Sequence, residues 1–257
     1  MKLARFAWQG RAQWGILQGD TLHALEGTLW EDMRPGAPLC ALEEARLLPP
    51  LNDINKVVGL GQTYKNMYRD PTRRDGPAVF MKPPNTYGGQ GDPIVYHAVC
   101  RRIIYEAEAG LVVGRRASRV SVKEAADCIG GFTCVNDLTC TDFTLVERPL
   151  ISTRFKICDT FCPMGPVIET DLDPQDITVI CRVNGREVQR SNTGTALCFT
   201  MAEMLSYVSS FMTLLPGDIL ATGCVGTGPL AIGDVVEVDI PGIGVLRNPV
   251  VGPKQEQ

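Results

Sequence analysis

Histidine is nearly missing from this chain: among 257 residues only His23 and His97 occur. That argues against a Cys/His zinc site, and the ten cysteines include no Cys-x-x-Cys spacing. There is no surplus of positive charge. Lys plus Arg number 25 and Asp plus Glu 29, giving a net charge of −4, so the basic surface that nucleic-acid binding needs is absent. No apolar run approaches the length of a membrane span, and the opening Met1-Lys2-Leu3-Ala4-Arg5 lacks the apolar core of a signal peptide. A cytoplasmic enzyme with reduced cysteines is therefore expected, most of those cysteines serving as small apolar fillers. Glycine-rich phosphate loops are also incomplete. Gly59-Leu60-Gly61 continues to Tyr64 where the third glycine of a dinucleotide fingerprint belongs. Gly88-Gly89-Gln90-Gly91 and Gly223-Cys224-Val225-Gly226 lack the lysine of a P-loop.

What is present is ordinary globular composition, 44% apolar and 21% charged, with 26 Gly and 18 Pro. Short β-prone runs at Leu3 to Trp8, Trp14 to Leu17 and Thr21 to Ala24 predict a small β-rich module over residues 1–50. A helical turn is expected at Leu42 to Arg46, and a turn at Pro35-Gly36. Residues 51–257 form the larger domain. Its strand candidates are Lys56–Leu60, Ala78–Met81, Arg102–Val113, Phe132–Asn136, Ile177–Val183, Asp218–Thr222 and Val235–Ile240. Asn184-Gly185 marks a hairpin, and Pro241 to Gly244 another turn. Capping boxes at Ser121 to Glu124 and Thr200 to Glu203 start two helices, the second running through Phe211. Strands outnumber helices and do not alternate with them, so a mixed, β-dominated fold is expected.

The chemistry concentrates in Ile103-Ile104-Tyr105-Glu106-Ala107-Glu108-Ala109-Gly110. On a strand, Glu106 and Glu108 would share one face about 6.6 Å apart. Buried together they would repel, and a dication would remove the conflict. A third oxygen donor could come from Asn136-Asp137. Oxygen donors suit Mg2+, Mn2+ or Ca2+. A Glu-x-Glu is also the ordinary pattern of a solvated strand face, and the spacing alone leaves both readings open.

The ordered motifs add a resemblance. They are Val58-Gly59-Leu60 with Tyr64, then Phe80 to Pro84, Tyr105 to Glu108, and Gly131-Phe132-Thr133 leading to Asn136-Asp137. Phe155-Lys156, Val183-Asn184-Gly185 with Gln189, Leu215 to Asp218 and Ala221-Thr222-Gly223 follow in the same order. From about Val57 to Pro249 the chain resembles the fumarylacetoacetate hydrolase family, especially bacterial members of the 2-hydroxyhepta-2,4-diene-1,7-dioate isomerase and 5-carboxymethyl-2-oxo-hex-3-ene-1,6-dioate decarboxylase type. The resemblance implies a β-roll of mixed sheets, usually dimeric, with Glu106, Glu108 and Asp137 as ligands of Mg2+ or Mn2+. It implies a 2-oxo acid substrate chelated by that ion and Lys156 as the catalytic cation that stabilises enolate charge. Tyr64, Lys82, Thr141 and Cys224 fall at substrate-facing positions.

Several positions depart from the family pattern. Met67 stands where a water-activating histidine is usual, and Asp70 replaces its glutamate partner. Thr141 replaces an arginine that holds substrate, and Cys224 replaces a threonine. The polar stretch from Arg69 to Pro77 could be a solvated loop, or a lid in which Arg73 or Arg74 meets a substrate carboxylate. Without the histidine, hydrolysis loses its base, whereas decarboxylation or isomerisation needs mainly an electron sink. Lyase or isomerase chemistry is therefore expected. The alternatives are acylpyruvate-type C–C hydrolysis with Asp70 as base, and a member repurposed for biosynthesis or ligand binding.

Overall fold

The computed structural model describes residues 1–67, 76–141 and 154–253. Strands dominate them. The first four, β1 (Lys2–Trp8), β2 (Arg11–Gln18), β3 (Thr21–Glu26) and β4 (Arg34–Ala41), form an antiparallel meander. β5 (Arg46–Leu47) pairs with β1. The expected helix at 42–46 is reduced to one 3-10 turn, Leu42–Glu44, because β5 then claims Arg46 for the sheet. Pro35-Gly36 lies inside β4 rather than in a turn. β4 is the edge strand, where proline needs no ladder hydrogen bond, and its register against β3 is irregular.

The main sheet then draws on β6 (Val57–Gly61), β7 (Ala78–Lys82), β8 (Tyr87–Gly88), β11 (Ala107–Val113), β12 (Ile129–Asn136), β14 (Cys162–Glu169) and β17 (Ile219–Ala221). Its order is β4-β3-β2-β1-β14-β12-β11-β17-β6-β7, with β5 and β8 as side branches. β1 joins it through Lys2 opposite Glu169 and Leu3 opposite Ile168, so the N-terminal meander continues the same sheet. β17 with β6 and β8 with β14 are parallel pairs. β9 (Ile94–Val95), β15 (Thr178–Val183), β16 (Arg186–Asn192), β19 (Val235–Ile240) and β20 (Gly244–Val251) make a second sheet in the order β16-β15-β19-β20-β9. A small third sheet contains β10 (Ile103–Tyr105), β13 (Thr139–Cys140) and β18 (Gly228–Leu230).

β11 is covered on both faces, which explains why it is apolar at every position but Glu108. Ala107, Ala109, Leu111 and Val113 pack with Phe132, Val179, Val236, Val238 and Leu246, between the two larger sheets. Val112 packs instead with Val135, Ile168, Ile219 and Leu3. Glu108, opposite Val135, is on this second face. The Asn184-Gly185 hairpin has both residues at positive φ, 52° and 77°, as its turn requires. Both capping boxes form, and they open the helices Val122–Ala126 and Met201–Ser209. The second helix stops two residues before Phe211. No helix among the described residues is long and apolar enough to cross a membrane.

All ten cysteines are free thiols, and eight are buried, in keeping with their expected role as fillers.

Candidate functional site

The run from 102 to 113 is two strands, not one. β10 pairs with β13 and β18, while β11 pairs with β12 and β17. The chain changes sheets at Glu106. The opposing chain breaks too, between Asn136 at the end of β12 and Thr139 at the start of β13. At this shared kink the Glu106 N–H donates to Asn136 Oδ1 at 3.0 Å, and the Asp137 N–H donates to the Glu106 carbonyl at 2.9 Å. The kink, not the pleat of a continuous strand, sets Glu106 against Asp137.

Glu108 lies two residues along, 1% exposed. Its Oε2 accepts the Gly223 N–H at 2.8 Å. Gly223 has φ +89°, and a Cβ there would stand 2.0 Å from Thr63 Oγ1, so this N–H can be aimed only by a glycine. Thr222 braces the same loop by donating to the Ala109 carbonyl at 2.7 Å. One residue further on, the Cys224 thiol comes within 3.9 Å of Glu106 Oε2. One carboxylate oxygen each of Glu106 and Glu108 and the sulfur of Cys224 lie within 4.8 Å of one another.

Two ammonium groups oppose these acids. Lys156 follows residues 142–153 on a 3-10 turn, Arg154–Lys156, and is buried. Its Nζ donates to Asp137 Oδ2 at 2.6 Å, to Glu106 Oε2 at 2.9 Å and to the Asp137 carbonyl at 3.1 Å. It also stands 4.9 Å from the centre of the Phe80 ring. Lys82 at the end of β7 is wholly buried, its Nζ 2.8 Å from Asp137 Oδ1 and 3.3 Å from the Leu138 carbonyl. Lys82 is thus a counter-ion behind Asp137 and has no surface to offer a substrate, unlike its expected place in the substrate wall.

The electrostatics follow. Burial pushes the Glu108 carboxyl well above the usual range, and the charges of Asp137 and Glu106 add to the effect; Lys156 and the Gly223 N–H only partly oppose it. Burial would also raise Asp137, but Lys156 and Lys82 overcome it and hold that group below its ordinary value. Burial alone would lower the Lys156 ammonium; Asp137, Glu106 and Glu108 reverse this and raise it. Burial, then Glu106 and Glu108, push the Cys224 thiol up. Three carboxylates face two ammoniums, so with all three ionised the cluster would carry an excess negative charge; burial drives Glu108 to hold a proton instead, and a divalent cation would take that proton's place.

The donor set fits such an ion, with one addition to the expected ligands. Lys156 holds Asp137 Oδ2, Lys82 stands 2.8 Å from Oδ1 without a well-formed hydrogen bond, and Cys224 converges with Glu106 and Glu108 beside them. The structure therefore brings together Glu106, Glu108, Asp137, Lys156, Lys82 and Cys224. Tyr64 is wholly buried beside Glu108, Cys224 and Ser191, and its hydroxyl forms no hydrogen bond of good geometry. Thr141, half-buried, is tied by its N–H to the Arg102 carbonyl at 3.0 Å. Met67 is 42% exposed, its N–H bonded to the Tyr64 carbonyl. Asp70, Arg73 and Arg74 lie outside the described residues. The sequence reading passed over Lys82 as a counter-ion and Cys224 as a donor. The only available signal was the proximity of Cys224 to Gly223, which the fold turns into proximity to Glu108. A hollow of about 470 Å3 lined by Phe132, Leu172, Leu197, Phe199 and Met201 includes none of these residues. Convergent charge therefore locates the site better than volume does.

The family described as fumarylacetoacetate (FAA) hydrolase, C-terminal, matches residues 55–251, and the one described as Rv2993c-like, N-terminal, matches residues 1–50. The crystal structure of 2-hydroxyhepta-2,4-diene-1,7-dioate isomerase from Mycobacterium marinum superposes with a TM-score of 0.89 at 32% identity, covering 99% of this chain and 100% of that one. A mitochondrial oxaloacetate tautomerase of Bos taurus is 32% identical over 83% of this chain and 72% of its own length. Maleylpyruvate hydrolase from Sphingobium sp. SYK-6, crystallised with manganese(II) and pyruvate, superposes with a TM-score of 0.79 at 25% identity over 99% of this chain and 100% of that one.

Proposed function

The chain belongs to the fumarylacetoacetate hydrolase family, and from that premise we propose that it is a divalent-metal-dependent enzyme acting on a 2-oxo acid as a tautomerase, isomerase or decarboxylase. The observation that carries this reading is Lys156. Its buried ammonium is fixed at 2.9 Å from Glu106 and 2.6 Å from Asp137, in the middle of the acid cluster. Glu106, Glu108 and, when Lys156 or Lys82 yields an oxygen, Asp137 would hold Mg2+ or Mn2+. When bound, the ion supplies a Lewis acid for the keto and carboxylate oxygens of the substrate.

The chain's own groups supply the rest. Lys156 presents a preorganised positive charge to the oxygen that gains negative charge as an enolate develops. Lys82 keeps Asp137 ionised, and Asp137 in turn keeps Lys156 charged and oriented. The Tyr64 hydroxyl, buried beside Glu108 and Cys224 without a well-formed hydrogen bond, would gain a partner in a substrate oxygen or water that reaches the cluster. At the position where a hydrolase of this family has its water-activating histidine, Met67 offers a thioether, which cannot take a proton near neutral pH. Enolate chemistry without a water base is therefore favoured over C–C hydrolysis.

The test is a product analysis on metal-stripped protein. It is given oxaloacetate or an acylpyruvate, with and without added Mg2+ or Mn2+, alongside Lys156→Met. The expected result is ion-dependent enol–keto exchange or CO2 release, lost on addition of chelator and reduced at least 100-fold, on the order of one lost oxyanion donor, in the variant. Cleavage of an acylpyruvate into two acids would replace this reading with the hydrolase one. Turnover indifferent to both ion and Lys156 would overturn it altogether.

A further inference from the structure

We propose that Cys224 is a ligand in the cation site, and that its thiolate gives this site a preference for thiophilic divalent ions such as Co2+, Zn2+ or Fe2+ over Mg2+. The inference rests on the reading of the acid cluster as a cation site and deepens it by naming the class of ion.

Geometry carries the argument. Cys224 Sγ lies 3.9 Å from Glu106 Oε2. Two donors held at about 2.1 Å (oxygen) and 2.3 Å (sulfur) from one ion in tetrahedral arrangement stand about 3.6 Å apart. The thiol therefore needs only a few tenths of an ångström of movement to join Glu106 on a shared ion. The mutual spread of 4.8 Å among Glu106, Glu108 and Cys224 is compatible with three donors around one centre. Asp137 joins that ion only when Lys156 or Lys82 gives up one of its oxygens, and Lys156 must likewise move off Glu106 Oε2, which it holds at 2.9 Å.

The surroundings of Cys224 differ from those of the filler cysteines. Cys134, Cys162 and Cys181 sit within strands and pack against apolar neighbours. Cys224 is on an irregular loop anchored to the acid cluster by the Gly223 N–H on Glu108. A second observation points to a ligand at the same place. Tyr64, fully buried, stands beside Glu108 and Cys224 with its hydroxyl lacking a well-formed hydrogen bond. A water or substrate oxygen brought in with an ion would supply that partner.

The preference follows from donor softness. Mg2+ takes hard oxygens in near-ideal octahedral geometry and gains nothing from sulfur. Zn2+, Co2+ and Fe2+ accept a mixed oxygen and sulfur set. Binding replaces the thiol proton with the ion, and the proton leaves to solvent.

Titration of the purified full-length chain with Co2+, without competing thiol reductants, tests this directly. The wild type should show a near-ultraviolet thiolate-to-cobalt charge-transfer band that saturates at one ion per chain. In Cys224→Ser the band should vanish while the visible d–d bands persist. Competition should show Zn2+ affinity falling by at least about 10-fold in the variant, the floor set by losing an outer partner of a ligand, with Mg2+ affinity hardly moved. Circular dichroism of both proteins verifies the fold. Cobalt bound with no charge-transfer band overturns the thiolate ligand and leaves the cation site standing. A band of equal strength in Cys224→Ser assigns it to other thiols and also overturns the proposal. Failure of both Co2+ and Mn2+ to bind overturns the cation reading with it.

Discussion

Replacing Glu108 by Gln should make the metal-free protein more stable, although it removes a candidate ligand. The Gln carbonyl keeps the volume and still accepts the Gly223 N–H that Glu108 Oε2 now takes at 2.8 Å. What is lost is an ionisable group, 1% exposed, whose charged form is disfavoured by burial and by Asp137 and Glu106. An uncompensated buried ion costs several kcal/mol. Lys156 and the Gly223 N–H offset part of that, so the variant should gain on the order of 1–3 kcal/mol. The pH dependence has a definite sign. With its folded pKa raised, Glu108 keeps a proton that the unfolded chain releases above about pH 4.3, so this group makes the wild type lose stability as pH rises through that window. The gain from Glu108→Gln should therefore be full at the alkaline end and shrink on acidification toward pH 4.3. Urea denaturation in chelator at pH 5, 6.5 and 8 measures it. A tightly bound ion reverses the order, because at one hundred times Kd it stabilises the wild type by about 2.7 kcal/mol. A variant no more stable than wild type at pH 8 in chelator, or a gain flat across pH, would refute the account of Glu108 as a repelled charge awaiting a cation.

Three further substitutions probe the parts around it. Gly223→Ala would drive a Cβ to 2.0 Å from Thr63 Oγ1 at φ +89°, costing about 1–3 kcal/mol in strain; denaturation and metal titration should both weaken, and an unchanged pair of values would show that the loop is not braced as described. Lys82→Met should cost about 3–5 kcal/mol, the scale of breaking a buried ion pair; a melting curve like the wild type's would mean Lys156 alone secures Asp137. Tyr64→Phe removes a hydroxyl with no good partner, so stability should hold or rise by up to about 1 kcal/mol while KM for the 2-oxo acid rises; a clear loss of stability would show that the hydroxyl is already satisfied within the protein.

The sequence made the strands legible wherever side-chain alternation and turn chemistry agreed, as at Val235–Ile240 and Asn184-Gly185. It concealed strands containing proline. β14 (Cys162–Glu169), absent from the strand candidates, carries Pro163 and Pro166, yet it joins β1 to β12 through an irregular register that spares Pro166 a place in the ladder. β20 was hidden in the same way by Pro249. The acid pair was legible by spacing, but for a different physical reason than the spacing suggested. A uniform strand would have placed Glu106 and Glu108 on one pleated face; the observed kink at 106 and 137 brings in the third acid, and nothing in an apolar run announces a change of sheet. The pairing of Asp137 with Lys82, 55 residues away, depends on where β7 ends and has no local signal.

The kink at Glu106 has a consequence for folding. The acid cluster unites positions 82, 106, 108, 137, 156 and 224, and no one pair of strands contains them all. Glu108 meets Gly223 only once β17 has docked on β11 and parallel to β6, a pairing of segments about 160 residues apart. Such distant closures come late and slowly. The acquisition of ion affinity during refolding should thus serve as a clock for completion of the central sheet, lagging behind the local hairpins that circular dichroism detects first.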